Sequence, residues 1–318
     1  MMKSISIVIV NWNTGQALKR CLDSIEELNK TNYKLLTVVI VDNASTDNSL
    51  ECLDTKSNNK VSGSYKSLPI KLIQNKSNEG FAKACNEGAR EADGDYILFL
   101  NPDMMLFKNT LKQCFSYLNK NNVDRLGAFG VKLVDDQGNT LRTCSRLPKK
   151  RYFFAKCIGA NRIIKKWNAF MLEWNHESSR KVDEVIGAFF IVPRHLFEEM
   201  KSFDERFFVY YEEVDYCKRL KDKGYYVYYY ADASAFHEGG GSSNQVKDYR
   251  LFYELRSRYL YEQKHYGDRA AFITLMLIYL EYVSRFINLV VTKRKSEVSN
   301  LRNAYRMLSQ WRKSVNKI

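Results

Sequence analysis

At 318 residues, 45% of them hydrophobic, the chain can bury a full core, which excludes a lone small module and suits one large α/β domain with an appendage. Its seven cysteines are odd in number, scattered from Cys21 to Cys217 and free of any C-x-x-C pair, which excludes a disulfide framework and a cysteine zinc site and suits a reducing cytosol. The formal net charge of +14 is uneven: residues 246–318 hold fifteen Lys and Arg against six Asp and Glu, so much of the basic excess lies away from the segments that carry chemistry.

The chain opens on an apolar run, Ile5-Ser6-Ile7-Val8-Ile9-Val10, which Asn11, Trp12 and Asn13 interrupt with no small-residue cleavage pattern behind it. That predicts a buried strand over 4–10 and not a signal peptide. Helices follow over 16–28, 48–54 and 82–92, and strands over 35–41, 70–74 and 96–100. Such alternation predicts βαβ units in a mostly parallel sheet, whose ligands sit beyond the carboxyl ends of the strands. Those ends read Asn11-Trp12-Asn13, Asp42-Asn43-Ala44-Ser45, Gln74-Asn75 and Asn101-Pro102-Asp103, so amides and carboxylates aim at one crevice. Beyond them come a strand over 128–133, a turn over 135–139, a signal-poor basic stretch over 142–166, a strand over 182–192 and a helix over 194–200. A helix over 212–223, stopped by Gly224, and a strand over 225–231 complete the ordered part. His237 then sits beside a glycine-rich loop, Gly239-Gly240-Gly241, flexible enough to approach a ligand closely.

Three constellations carry chemistry. Helix capping accounts for Ser45, Thr46 and Asp47 but leaves Asp42 and Asn43 without a structural duty, free to bond a pyrimidine edge or a ribose. Asn101-Pro102-Asp103 is good turn chemistry in isolation, yet it also sets Asp103 at a strand tip, and Mg2+ and Mn2+ take one or two carboxylates with water and substrate phosphate. Asp103 and His237 together offer a carboxylate and an imidazole for such an ion, with a diphosphate completing its shell. On the helix starting at Glu212, Asp215 and Glu212 share the polar face with Arg219, whereas Glu213 has Tyr216, Cys217 and Leu220 as its neighbours. A carboxylate on an apolar face has a raised pKa, which suits a general base.

In order along the chain, SIVIVNWNT, VIVDNASTDNS, NEGFAKACNEGAREADGDYILFLNPD, VIGAFFIVPRHLF, FDERFFVYYEEVDYCKRL and GYYVYYYADASAFHEGGGSS resemble the family 2 inverting glycosyltransferases of the GT-A fold, above all the bacterial rhamnosyltransferase-like branch. The six segments span residues 4–245. The resemblance implies a Rossmann-like nucleotide-sugar-binding domain over 1–245 and a metal-dependent hexosyltransferase activity. It implies that Asn11, Asp42 and Asn43 hold the nucleoside, with Asn78 and Asn86 near the donor. Asp103 takes the place of the second, metal-binding acid of a DxD-type motif, and Asn101 stands where its first acid would be. His237 corresponds to the histidine that joins Asp103 on Mg2+ or Mn2+. Where the family reads Glu-Asp-x-Asp this chain has Glu212-Glu213-Val214-Asp215, so Glu213 takes the place of the base, with Asp215 or Glu212 as the alternatives. The donor by analogy is dTDP-rhamnose, with UDP-hexoses the nearest competitor, and the acceptor a lipid-linked saccharide in cell-wall or capsule polymer synthesis.

Residues 246–318 read as a basic amphipathic helical region. The uncharged run 270–280 is short for a bilayer span, and Leu301, Ala304, Leu308, Trp311, Val315 and Ile318 recur at helical spacing among basic residues. Three placements follow: in the plane of an anionic membrane surface, packed on the core or on a second copy of the chain, or across the bilayer. The first makes the protein cytoplasmic and peripheral to the inner face of the cell membrane. Two rival classes fit less well. A sugar nucleotidyltransferase calls for a glycine-rich basic loop after the first strand, where Asn11-Trp12-Asn13-Thr14 stands. A nucleic-acid-binding protein leaves the acidic, amide-rich strand ends without purpose, so no nucleic acid is expected as a partner.

Overall fold

An apolar run buried on both faces is what a central parallel strand requires, and β1 (Ser4–Asn11) supplies one. The computed structural model describes residues 2–53, 65–121, 123–239 and 247–315, which divide into two compact units. The first unit takes Met1–Leu147, Trp174–Glu205 and Glu212–Ser242. In chain order β1 is followed by α1 (Ala17–Glu26), β2 (Lys34–Asp42), β3 (Ile70–Gln74), α2 (Phe81–Arg90), β4 (Tyr96–Leu100), β5 (Met104–Leu106), α3 (Thr110–Lys120), β6 (Leu126–Val134) and β7 (Cys144–Ser145). Then come α4 (Lys150–Cys157), which belongs to the second unit, and β8 (Arg180–Val182), β9 (Glu184–Val185), β10 (Phe189–Pro193), α5 (Arg194–Glu199), α6 (Glu212–Asp222) and β11 (Tyr226–His237).

The main sheet runs β3-β2-β1-β4-β10-β6-β11-β5, with β8 also on β11. β3, β2, β1 and β4 are mutually parallel, so Asn11, Asp42 and Gln74 stand in register at one edge and Asn101 follows β4 at the same edge. Beyond β4 the sheet is mixed, because β10 enters antiparallel between β4 and β6. One apolar face is sealed by Leu18, Cys21, Leu22 and Ile25 of α1 and by Leu111, Cys114, Phe115 and Leu118 of α3. On α2, Gly88 permits close helix–sheet approach, since a Cβ there would lie 2.4 Å from a Val8 methyl.

Several expected elements differ. No helix forms over 48–53: Asp47 accepts from the Ser49 amide and hydroxyl, and such local side-chain bonds favour turns over helix. Residue 54 lies outside the described residues, as do Gly240, Gly241 and the rest of 240–246. The single strand expected over 182–192 is broken at Ile186, Gly187 and Ala188 into β9 and β10, with β8 before them. β11 runs six residues further than expected and contains His237 as its last member, not as a loop residue. The amphipathic helix α3 and the short β5 carry no counterpart in the sequence reading.

The second unit takes Pro148–Glu173, Arg206–Tyr211 and Ser243–Ile318, so it draws in two segments that the sequence left with the first. Its helices are α4, α7 (Lys247–Val291, interrupted at Gly267 with φ 81°) and α8 (Lys295–Val315). Leu255 and Ile278, from the two limbs of α7, share one core with Leu301, Ala304, Tyr305 and Leu308 of α8, so the limbs fold back on each other at Gly267. Arg258 donates to Glu281 across the limbs at 2.9 Å, and Lys156 and Arg285 also face that carboxylate. Burial pushes the Glu281 carboxyl up, but the cations around it overcome this and hold it at about 2.

Candidate active site

Four groups of the first unit carry the candidate chemistry, the first of them at the carboxyl edge of the parallel strands. The first is a hydrogen-bonded floor. Asn11 Nδ2 donates to Asp42 Oδ1 at 2.8 Å and lies within bonding distance of Ser45 and Ser49, while Asp42 accepts from the amide and hydroxyl of Ser45. Asn43 donates to Asn78 and to the Gly80 carbonyl and accepts from Asn75. Asp42 and Asn43 therefore do have a structural duty, contrary to the sequence reading: they tie the loops after β1, β2 and β3 together. Ala44 within this floor holds φ at 62°, a strained value for a residue with a Cβ. Asn86 is engaged at both ends of its amide, by the Phe203 backbone and by Glu205, and so fixes α2 to the 203–205 segment.

The second group is Asp103 with His237. Antiparallel pairing of β5 with β11 sets His237 opposite Met104, and the Glu238 amide donates to the Asp103 carbonyl at 3.2 Å. His237 Nε2 lies 3.4 Å from Asp103 Oδ1, with both side chains close to nine-tenths buried. Asp103 Oδ1 is buried and receives no hydrogen bond. An orphaned carboxylate oxygen beside an imidazole is a fitting pair of ligands for a divalent cation that completes its shell with phosphate and water. No three His, Cys, Asp or Glu side chains converge on such a site among the described residues.

The third group is the acidic start of α6. Asp215 is fully buried and accepts from Arg219 Nε at 2.8 Å, and the same guanidinium donates to the carbonyls of Met200 and Ser202. The polar face read from the sequence is thus an internal clamp, and Glu212 does not share it. Glu212 is buried, with Glu213 next to it at the start of the helix. Burial raises both, Glu212 the more because the neighbouring Glu213 charge adds to it; backbone amides of Val214 and Gly187 oppose the rise at Glu213. Of the three acids, Glu213 alone is partly exposed, and it rests on Gly187, whose missing side chain leaves room beside the carboxylate.

The fourth group escaped the sequence reading. Glu184 of β9 is buried near Glu213 and is raised well above the ordinary glutamate range by burial and by the Glu213 charge, against a hydrogen bond from Ser145. The β7–β9 register sets Ser145 opposite Glu184, so a two-residue strand places it; only a charged residue in an apolar run signalled it. A raised folded-state pKa means that the unfolded chain ionises first, so this contribution to stability is present at low pH and lost as pH rises above the usual glutamate range. Glu184→Gln is therefore expected to raise Tm by roughly 2–4 °C at pH 8, the equivalent of about 1 kcal/mol in a unit of this size, and by less at pH 5. Equal Tm changes at both pH values would show that Glu184 is ionised in the folded protein.

A backbone bond continues the β4–β10 pairing between the second and third groups. The Asn101 amide donates to the Ala188 carbonyl at 3.0 Å, linking the turn that carries Asp103 to the segment on which Glu213 rests. A separate cavity of about 370 Å3, lined by Arg20, Met105, Asp135, Asp136, Phe236 and Glu238, contains none of the predicted site residues, and its three acids suit a diphosphate poorly.

Residues 6–179 match the family described as Glycosyl transferase family 2. The chain belongs to that family. This glycosyltransferase is 24% identical over 277 residues to N-acetylglucosaminyl-diphospho-decaprenol L-rhamnosyltransferase of Mycobacterium tuberculosis, covering 83% of this chain and 85% of that one. It is 27% identical over 179 residues to rhamnosyltransferase WbbL of Escherichia coli, covering 55% and 64%. Within the family it falls in the rhamnosyltransferase-like branch. Mannosyltransferase PcManGT from Pyrobaculum calidifontis, solved in complex with GDP-Man and Mn2+, shares its fold with a TM-score of 0.55 at 14% identity, over 97% of this glycosyltransferase and 87% of that chain. The fold is GT-A, a mixed α/β sheet with C-terminal helices.

Proposed function

We propose that this glycosyltransferase moves a sugar, L-rhamnose from dTDP-rhamnose in the first place, to a hydroxyl of a lipid-linked saccharide with inversion at the anomeric carbon, working as a peripheral protein on the cytoplasmic face of the membrane. The observation that carries the reading is the orphaned Asp103 Oδ1 beside His237, and the Asn101–Ala188 bond, one residue from the Gly187 against which Glu213 rests, supports placing the base on the same side. The two rhamnosyltransferase relatives support the donor, and the decaprenol-linked substrate in the name of one supports the acceptor.

Asn11, Asp42, Asn43 and Asn78 hold the strand-end loops that form the nucleoside floor, and Asn86 keeps α2 in place beside them. Asn101, two residues before Asp103, offers an uncharged amide to the donor. Asp103 and His237 would hold Mg2+ or Mn2+; when bound, the ion supplies positive charge for the departing diphosphate. Glu213 accepts the proton of the acceptor hydroxyl, and its burial keeps the carboxyl basic enough for that task. The 1–245 stretch carries this chemistry and 246–318 serves association with the membrane.

Calorimetry with dTDP and UDP tests the metal half. Affinity is expected to fall at least about tenfold on EDTA treatment and by a similar factor in Asp103→Ala and His237→Ala, since one charged ligand contact is worth about 1.5–3 kcal/mol. Unchanged diphosphate affinity after EDTA would remove the metal from the account.

A further inference from the structure

We propose that the outward face of the second limb of α7, together with the exposed apolar residues of 154–170, forms one bipartite surface that lies in the headgroup layer of an anionic lipid leaflet. This deepens the membrane placement proposed above and rests on it.

Phe272, Ile273, Met276, Tyr279, Leu280, Val283, Ile287, Val290 and Val291 are all exposed, and they recur every three or four residues. On a helix that spacing draws a single apolar stripe about 30 Å long. The opposite side of the same limb is occupied: Ile278 packs in the core with α8, and Tyr282, Phe286 and Leu289 pack against it. The stripe is therefore surplus to the fold of this unit.

A second apolar set stands beside it. α4 packs on the same limb, with Cys157 Sγ bonded to the Leu277 carbonyl and Lys156 paired with Glu281. From α4 and the turns after it, Phe154, Ile158, Ile163, Ile164, Trp167 and Phe170 are exposed, Ile163 to 86%. A tryptophan among exposed isoleucines and flanking lysines is an interfacial composition, not a protein-core one.

Charge selects the occupant. The second unit holds 23 Lys and Arg against seven Asp and Glu, whereas in the first unit acids outnumber bases by two, so the basic excess of the chain lies entirely in the unit that carries the apolar stripe. Lys149, Lys150, Arg151, Lys165 and Lys166 flank the second apolar set, and Lys293, Arg294 and Lys295 follow the stripe. Apolar residues rimmed by like positive charge match an anionic leaflet and repel a second copy of the same face. The fold opposes a transmembrane placement of α7: α8 packs back along it and carries Arg302 over Phe286 and Arg312 on Tyr259, charges that a spanning arrangement would take into hydrocarbon.

Co-sedimentation of the full chain with phosphatidylcholine vesicles, with and without phosphatidylglycerol, tests this. Binding is expected only with phosphatidylglycerol, weakening with salt. Met276→Asp with Ile287→Asp, and separately Ile163→Asp with Trp167→Ala, are each expected to lower it by about tenfold or more, with helical circular dichroism unchanged. Quenching of Trp167 by bromine-labelled lipid, read as the difference between wild type and Trp167→Phe, gives the same answer without a disruptive variant. If wild type ignores anionic vesicles, the membrane placement itself falls. If it binds while the 163/167 variant binds equally well and Trp167 is not quenched, only the bipartite surface falls. A dimer in solution that the 276/287 variant splits would assign the stripe to a second copy of the chain.

Discussion

Glu213→Gln is expected to fold and to bind donor as wild type does while its turnover falls by roughly 10²–10⁴-fold, the usual contribution of a general base. The substitution keeps the shape that rests on Gly187 and removes only the ability to take a proton. Three observations single out this acid. Asp215 is locked on Arg219, Glu212 is buried, and Glu213 is the partly exposed member. Because burial raises the Glu213 carboxyl, the acidic limb of the wild-type pH–rate profile is expected above the ordinary glutamate range. Near-normal turnover in Glu213→Gln would move the base to another acid, and a parallel loss of donor affinity would make Glu213 a binding residue.

Asp215→Ala is expected to do the converse, lowering stability far more than chemistry. Its carboxylate lies fully buried on Arg219, whose other donors hold the carbonyls of Met200 and Ser202, where Lys201 and Ser202 adopt left-handed backbone at φ 59° and 58°. Removing one partner of a buried ion pair costs about 3–5 kcal/mol, because the other charge is left without compensation. Thermal unfolding is expected to shift down by roughly 10 °C, while turnover measured well below the transition changes several-fold at most. An Asp215→Ala protein that melts like wild type and is inactive would contradict the clamp and favour Asp215 as the base.

How legible these features are in sequence follows from the range of the contacts that make them. β3 and β4 lie where the β-branched and apolar runs 70–74 and 96–100 place them, because turn residues bound each run locally. Leu111, Phe115 and Leu118 of α3 stand at i, i+4 and i+7 and carry a helical signal in the same way, though it goes unread. The pairing of Asp103 with His237 depends on β5 meeting β11 across more than a hundred residues, so the sequence marks both as ligand types, and nothing local sets them side by side. Asp42 and Asn43 are legible as chemically unusual strand-end residues, but their bonds to Asn11, Ser45, Asn75 and Asn78 come from three different loops. Glu184 is the hardest case, since nothing in Val182-Asp183-Glu184-Val185 says that α6 will set two further carboxylates beside it.

The measurement closest to the central claim is a transfer assay with dTDP-rhamnose and a panel of UDP-hexoses, offered with a polyprenyl-diphosphate-linked saccharide and Mn2+. Nucleoside diphosphate release and the anomeric configuration of the product are read by NMR. The account predicts acceptor-dependent release from one donor, with product of inverted configuration, abolished by EDTA and reduced by roughly 10²–10⁴-fold in Glu213→Gln. Product of retained configuration, or full turnover without a divalent ion, would contradict it.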